Sequence, residues 1–141
     1  MANMLRLEVV TPEKTVISEE AAIVTAPGSE GVFGVLVGHT PFLTALKVGV
    51  LSYRDESGKE RLVFVNNGFA EALPDRVTIL AESSERQGDI DVERAKKAME
   101  RAQKRLASKE PDIDFERAKS ALLRAQVRLS LAEVRVRAEM Q

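Results

Sequence analysis

The sequence predicts an α+β protein, an N-terminal antiparallel β-sandwich followed by a C-terminal antiparallel α-helical hairpin. Up to about residue 82, apolar and polar residues alternate in short runs broken by turn residues. After Ser84 the apolar residues recur at helical spacing instead. The charge changes at the same place. Residues 1–84 hold 7 Lys and Arg against 11 Asp and Glu, a net of −4, whereas residues 85–141 hold 14 against 11, a net of +3. A mildly acidic sandwich over 1–84 and a basic hairpin over 85–141 suggest two modules that face different partners.

Leu5, Leu7 and Val9 alternate with Arg6 and Glu8 until Thr11-Pro12 ends the run. Ile23-Val24-Thr25 is a second candidate, stopped by Pro27-Gly28. Val48 to Tyr53 and Arg61 to Val65 flank Asp55-Glu56-Ser57-Gly58, a hairpin signal. Asn67-Gly68 leads into Phe69 to Leu73, and Pro74-Asp75 turns the chain into Val77 to Leu80. In the second module, Val92, Ala95, Ala98, Met99, Ala102 and Leu106 lie on one helical face behind Asp91, a predicted N-cap. Lys109-Glu110-Pro111 breaks the pattern, because proline disfavours helix in the residue before it. Phe115, Ala118, Ala121, Leu122, Ala125, Leu129, Ala132 and Val136 then form a second stripe. So short a connection predicts an antiparallel pair. The two helical segments also repeat each other: Asp89–Leu106 and Asp112–Leu129 are identical at 13 of 18 positions. A common need for the same cap, seam and charged face accounts for that repeat. An alanine-rich seam buries little area, at about 25 cal/mol per Å², so the hairpin is expected to pack closely but weakly.

Several function classes have little support. No apolar run approaches the roughly 20 residues that span a bilayer, and the first six residues lack the basic-then-apolar pattern of a signal peptide. With no cysteine and one histidine, neither thiol chemistry nor a transition-metal site is expected. His39 has no evident nucleophile beside it, and catalytic residues are expected to be absent. Gly28-Ser29-Glu30-Gly31-Val32-Phe33-Gly34 lacks the Gly-Lys-Ser/Thr ending of a phosphate loop and reads as a turn. The arginines are the informative charges. Arg94 and Arg101 sit seven apart, and Arg117, Arg124, Arg128 and Arg135 share a face of the second helix. Either they form a solvated face, or their paired donors bind phosphates or carboxylates.

Gly31-Val32-Phe33-Gly34-Val35-Leu36-Val37-Gly38-His39-Thr40-Pro41-Phe42-Leu43, followed by Leu46-Lys47-Val48-Gly49, resembles a glycine-spaced segment of the ε subunit of F-type ATP synthases, the counterpart of the mitochondrial δ subunit. Val9-Val10-Thr11-Pro12, Asn67 to Glu71 and Val77 to Ala81 are similar to that family's flanking strands, so the resemblance covers essentially the whole chain. It implies a non-catalytic central-stalk (rotor) subunit that couples proton flow to ATP synthesis. The implied partners are the γ subunit, the ring of c subunits and the α and β subunits of the catalytic head. Glu30, Gly31, Gly38 and His39 then match loops that touch the c-ring at one end of the sandwich. The hairpin would inhibit ATP hydrolysis when extended, with Arg117, Arg124, Arg128 and Arg135 meeting acidic segments of the head. Ile90-Asp91-Val92-Glu93-Arg94-Ala95 matches the family's nucleotide signature, (I/L)-D-x-x-R-A. Asp91 and Arg94 carry over directly, and Glu85, Arg101, Arg124 and Arg128 match further nucleotide-associated positions. No cofactor is implied as required, with ATP as a regulatory ligand. The implied location is peripheral, on the cytoplasmic face of the bacterial inner (plasma) membrane. Two other readings stand beside this one: a stand-alone nucleotide-sensing module using the same arginines, and a basic-hairpin nucleic-acid factor.

Overall fold

The computed structural model describes residues 4–140, with side chains for residues 4–135. It divides into two compact units, one ending at Gln87 and one beginning at Gly88. The boundary expected after Ser84 therefore lies three residues later, because the last strand stays paired as far as Arg86 opposite Val63.

The first unit contains eight strands: β1 (Leu5–Val10), β2 (Thr15–Ala21), β3 (Ile23–Gly28), β4 (Gly31–Val35), β5 (Phe42–Leu46), β6 (Gly49–Arg54), β7 (Glu60–Leu73) and β8 (Arg76–Arg86). They are ordered β2-β1-β8-β7-β5-β3-β4, and β6 pairs with both β3 and β7. Every pairing is antiparallel except β1 with β8. In β1 the alternation seen in the sequence becomes a face: Leu5, Leu7 and Val9 are fully buried, with Arg6, Glu8 and Val10 half-buried between them. Each such buried aliphatic side chain contributes roughly 1.5–3 kcal/mol. Ile17, Val24, Val35, Leu51, Tyr53, Val77 and Ile79 complete most of the core between the layers.

β7 and β8 build the sandwich by changing faces together. In β7 the residues of the sandwich core are Val63 and Val65, then Ala70 and Ala72, so the core-facing phase shifts from odd to even, while Phe64 and Asn66 are buried outside that core. In β8 it shifts the other way, from Val77, Ile79 and Ala81 to Ser84. The register between the strands is unchanged across the shift, with Asn66 opposite Ser83 and Gly68 opposite Ala81. Asn67 (φ 51°) and Gly68 (φ 117°) supply the positive φ angles that turn the strand over. Beyond this bend β7 changes neighbour, pairing with β6 through residues 60–65 and with β5 through residues 68–72. The two segments expected on either side of Asn67-Gly68 are thus one 14-residue strand.

Two further expectations are corrected. β3 runs through Pro27 to Gly28 instead of stopping before them, and the Pro27 carbonyl accepts the Lys47 N–H at 3.0 Å. Only Ser29-Glu30 of the glycine-rich segment is a turn, since Gly31–Val35 forms β4 against β3.

The second unit is a helical hairpin. A 3-10 turn at Gln87–Asp89 precedes α1 (Val92–Ala107), which packs against α2 (Phe115–Met140). Asp91 caps α1, its carboxylate accepting the Arg94 N–H at 3.1 Å. Asp114 caps α2 identically, accepting the Arg117 N–H at 3.1 Å. The sequence repeat is therefore a repeat of capped helices. Ala95, Ala102, Ala118, Ala125 and Ala132 are buried, a seam of alanines spaced by seven on each helix. Phe115, expected in that stripe, is exposed because it lies in the first turn beyond the seam's end, while Leu131, not expected there, is buried. Val136 lies outside the described side chains.

Candidate functional site

In the hairpin, each of the first four seam alanines follows an arginine: Arg94-Ala95, Arg101-Ala102, Arg117-Ala118 and Arg124-Ala125. A step of one residue turns a side chain by about 100° around the helix. In an antiparallel pair the senses of rotation oppose, so the residue before each seam position falls on the same side for both helices. Arg94 and Arg101 of α1 thus share one side of the hairpin with Arg117 and Arg124 of α2. Residues three after a seam alanine join that side, which adds Arg105, Arg128 and Arg135. Residues four after it fall on the opposite side, and these are Met99, Leu106, Leu122 and Leu129, all half-buried. One flank of the hairpin is therefore basic, while the other carries this aliphatic row beside Lys96, Gln103, Lys119 and Gln126.

Within the hairpin, Lys96 pairs with Glu93 (3.7 Å) and Lys119 with Glu116 (3.4 Å). Arg94, Arg101, Arg117 and Arg124 form no ion pair among the described residues. Arg94 and Arg101 are exposed, and Arg124 and Arg128 are half-buried. Arg135 donates to the Gly88 carbonyl at 3.2 Å, tying α2 to the turn that precedes α1. Asp91 uses one carboxylate oxygen for its cap. Glu85 belongs to the other unit, on β8 opposite Phe64, and is half-buried.

In the sandwich, Glu30 lies in the exposed β3–β4 turn and Gly31 (φ 134°), also exposed, opens β4. Gly38 (φ 87°) and His39 lie in the β4–β5 connection, where the Gly38 N–H donates to the Pro74 carbonyl at 2.7 Å. The five residues of β4 separate these loops by roughly 15 Å of strand, so they do not form the single end expected from the sequence. The His39 ring meets the edge of Phe42 at 4.9 Å, and Phe42 in turn meets Phe33 at 5.2 Å. His39 Nδ1 lies 2.6 Å from the Thr40 carbonyl oxygen, an arrangement that positions a loop.

Sequence reasoning missed a second surface. Register places Val10 beside Leu80, Leu80 beside Phe69, and Phe69 beside Ala45, a row across β1, β8, β7 and β5 on the face away from the core. Phe69 and Leu80 are each 55% exposed, and Leu43, on the same face of β5, is 70% exposed. The signal was present as apolar residues in the polar phase of each strand. An apolar row across four strands, exposed at Phe69 and Leu80 and half-buried at Val10 and Ala45, is more than scattered surface residues require.

The profile of the ATP synthase delta/epsilon chain β-sandwich domain matches residues 4–87, and that of the family's long α-helix domain matches residues 89–133. The ATP synthase epsilon chain of Desulfatibacillum aliphaticivorans is 66% identical over 110 residues, covering 78% of each chain. That of Desulfosudis oleivorans is 65% identical over 108 residues, covering 77% of this chain and 81% of the relative. Among solved structures, a chain of the Euglena gracilis mitochondrial ATP synthase (OSCP/F1/c-ring) aligns with a TM-score of 0.75 at 25% identity, covering 88% of this chain and 78% of that one. A chain from the Tetrahymena thermophila ATP synthase central stalk/c-ring shares the fold, with a TM-score of 0.58 at 13% identity over 91% of this chain and 96% of that one. Sandwich, hairpin and sequence agree, and the chain belongs to the ATP synthase delta/epsilon chain family.

Proposed function

We propose that the chain is a non-catalytic rotor subunit of the central stalk of a proton-transporting F-type ATP synthase. It couples proton flow to ATP synthesis through its sandwich and restrains ATP hydrolysis through its hairpin. The observation that carries this reading is the apolar row of Val10, Leu80, Phe69 and Ala45 on the outer face, exposed at Leu80 and Phe69 and extended by the exposed Leu43. It is a surface suited to a permanent apolar partner, and the γ subunit is that partner. The membrane ring of c subunits is met by Glu30 and Gly31 at one end of β4 and by Gly38 and His39 at the other. No helix among the described residues is long and apolar enough to cross a membrane. In this reading the subunit is peripheral, held through the complex on the cytoplasmic face.

The basic flank of the hairpin has two uses. Arg94, Arg101, Arg124 and Arg128, with Asp91, bind ATP as a regulatory ligand. Arg117, Arg124, Arg128 and Arg135 contact acidic segments of the α and β subunits when the hairpin extends. Arginine suits both, since its planar donors pair with phosphate and carboxylate alike. No cofactor is needed for either role. Co-purification tests the docking. The chain should be recovered with γ, and a Phe69→Asp, Leu80→Asp variant that folds should not. Recovery of that variant at the unaltered level overturns the assignment of this face.

A further inference from the structure

The last residue of β8 is held from two other strands. Glu19 on β2 receives the Tyr53 hydroxyl of β6 at 2.5 Å on one carboxylate oxygen and Arg86 Nη2 at 3.1 Å on the other. Arg86 Nε adds a bond to the Val16 carbonyl of β2 at 3.3 Å. Tyr53 is 1% exposed and belongs to the core, so the carboxylate is anchored to a rigid group. Arg86 is the final residue before the 3-10 turn Gln87–Asp89 that leads to the hairpin.

We propose that the Tyr53–Glu19–Arg86 chain is a latch that fixes the sandwich's exit, so that any turning of the hairpin occurs at Gln87–Asp89 and does not peel β8 from β7. The case rests on how many strands meet there. β8 ends opposite Val63, near the start of β7, so its last pair lacks a ladder beyond it to prevent fraying. The guanidinium supplies what the ladder does not. It binds β2 twice, through a side chain and through the main chain, and the shared carboxylate ties that grip to β6. Charge-assisted bonds of this kind are stronger than neutral ones, and the planar donors of arginine fit two acceptors at once. The partial exposure of Arg86 and Glu19 keeps the latch modest, suited to defining a pivot without contributing much to global stability. The functional meaning of the pivot rests on the hairpin movement proposed above. The latch itself does not, and its test uses the isolated chain.

Trypsin reads the latch directly, because cleavage after Arg86 requires that side chain to leave Glu19 and enter the protease. In the intact chain the Arg86–Gln87 bond should be cut slowly. Glu19→Gln keeps the size of the side chain but removes its charge, and cleavage at Arg86 should rise about five-fold or more. Cleavage at Lys59, in the β6–β7 turn, and at Lys109, between the helices, should not change. Hydrogen exchange by mass spectrometry should show the same variant losing protection over residues 83–87 alone. Equal acceleration at all three sites would mean general destabilisation and would overturn the latch. Unchanged cleavage at Arg86 would overturn it as well. The separate outcome in which the latch opens but the assembled enzyme keeps its hydrolysis rate would count against the hairpin reading only.

Discussion

A Cβ placed on Gly68 would lie 1.9 Å from the carbonyl oxygen of Leu80, on the neighbouring strand, and Gly68 itself has φ 117°. No side chain fits in that space or favours that angle. The contact marks where β7 and β8 exchange faces, so it decides whether one pair of strands can serve both layers of the sandwich. Gly68→Ala should therefore destabilise the sandwich by about 3 kcal/mol or more, measured by urea unfolding. Asn67→Gly is the control. Asn67 (φ 51°) already tolerates the left-handed region, so this change should stay within about 0.5 kcal/mol.

Tyr53 and Glu19 set the pH limits of the same unit. Burial, then the hydrogen bond to Glu19, pushes the Tyr53 hydroxyl up to about 12. A group raised in the folded state stabilises below its unfolded pKa and loses that contribution as pH rises through the folded one. Stability should therefore fall between about pH 10 and pH 12, and Tyr53→Phe should flatten that limb. For Glu19, burial pushes upward, but hydrogen bonds from Tyr53 and Arg86 outweigh it and hold the carboxyl below its ordinary 4.5. The hydrogen bond from the Ser57 hydroxyl, joined by that from Arg61, lowers Asp55 well below the usual carboxylate range. Both groups stabilise above their unfolded values and lose the contribution as pH falls. The acid limb should thus begin near pH 4.5 and steepen below it, as seen in chemical denaturation at stepped pH.

ATP binding should depend on the basic flank. Arg94→Ala removes a charge-assisted contact of about 1.5–3 kcal/mol, and calorimetry with millimolar ATP should show roughly ten- to hundred-fold weaker binding. Arg117→Ala, on the same flank but in the second copy of the signature, should leave ATP binding within about two-fold. Absence of binding heat in the unaltered chain would reduce Asp91-x-x-Arg94 to a helix cap.

Inhibition should be distributed over the second helix. Exposed ion pairs contribute about 0–1 kcal/mol each, so single alanine changes at Arg117, Arg124, Arg128 or Arg135 should be mild. Changing all four should relieve inhibition of hydrolysis and remove its salt dependence. Steady-state hydrolysis at two ionic strengths checks this.

Much of this organisation was legible in the residues because it follows from period. The alternation in β1 and the sevenfold alanine spacing each fix a face, and Asp91 declares its cap by type and position. β2 was not legible because Ser18, Glu19 and Glu20 give it a polar run, and its strand exists through pairing with β1. β4 was hidden by glycines that read as a turn. The face exchange at Asn67-Gly68 depends on a contact with Leu80, twelve residues away, which no local pattern encodes. Of the candidate sites, the arginines were visible by charge and spacing. The apolar row was not, because it is assembled from single residues of four strands aligned only by register.

In the proposed function, sandwich and hairpin divide the work, one holding the subunit in the rotor and the other restraining hydrolysis. The most direct measurement is ATP hydrolysis by the assembled enzyme carrying a chain that ends at Gln87. This enzyme should keep the shortened subunit bound to γ, still couple proton flow to synthesis, and hydrolyse ATP faster than the enzyme with the full chain. An unchanged hydrolysis rate, or loss of the folded sandwich from γ, would contradict that division of work.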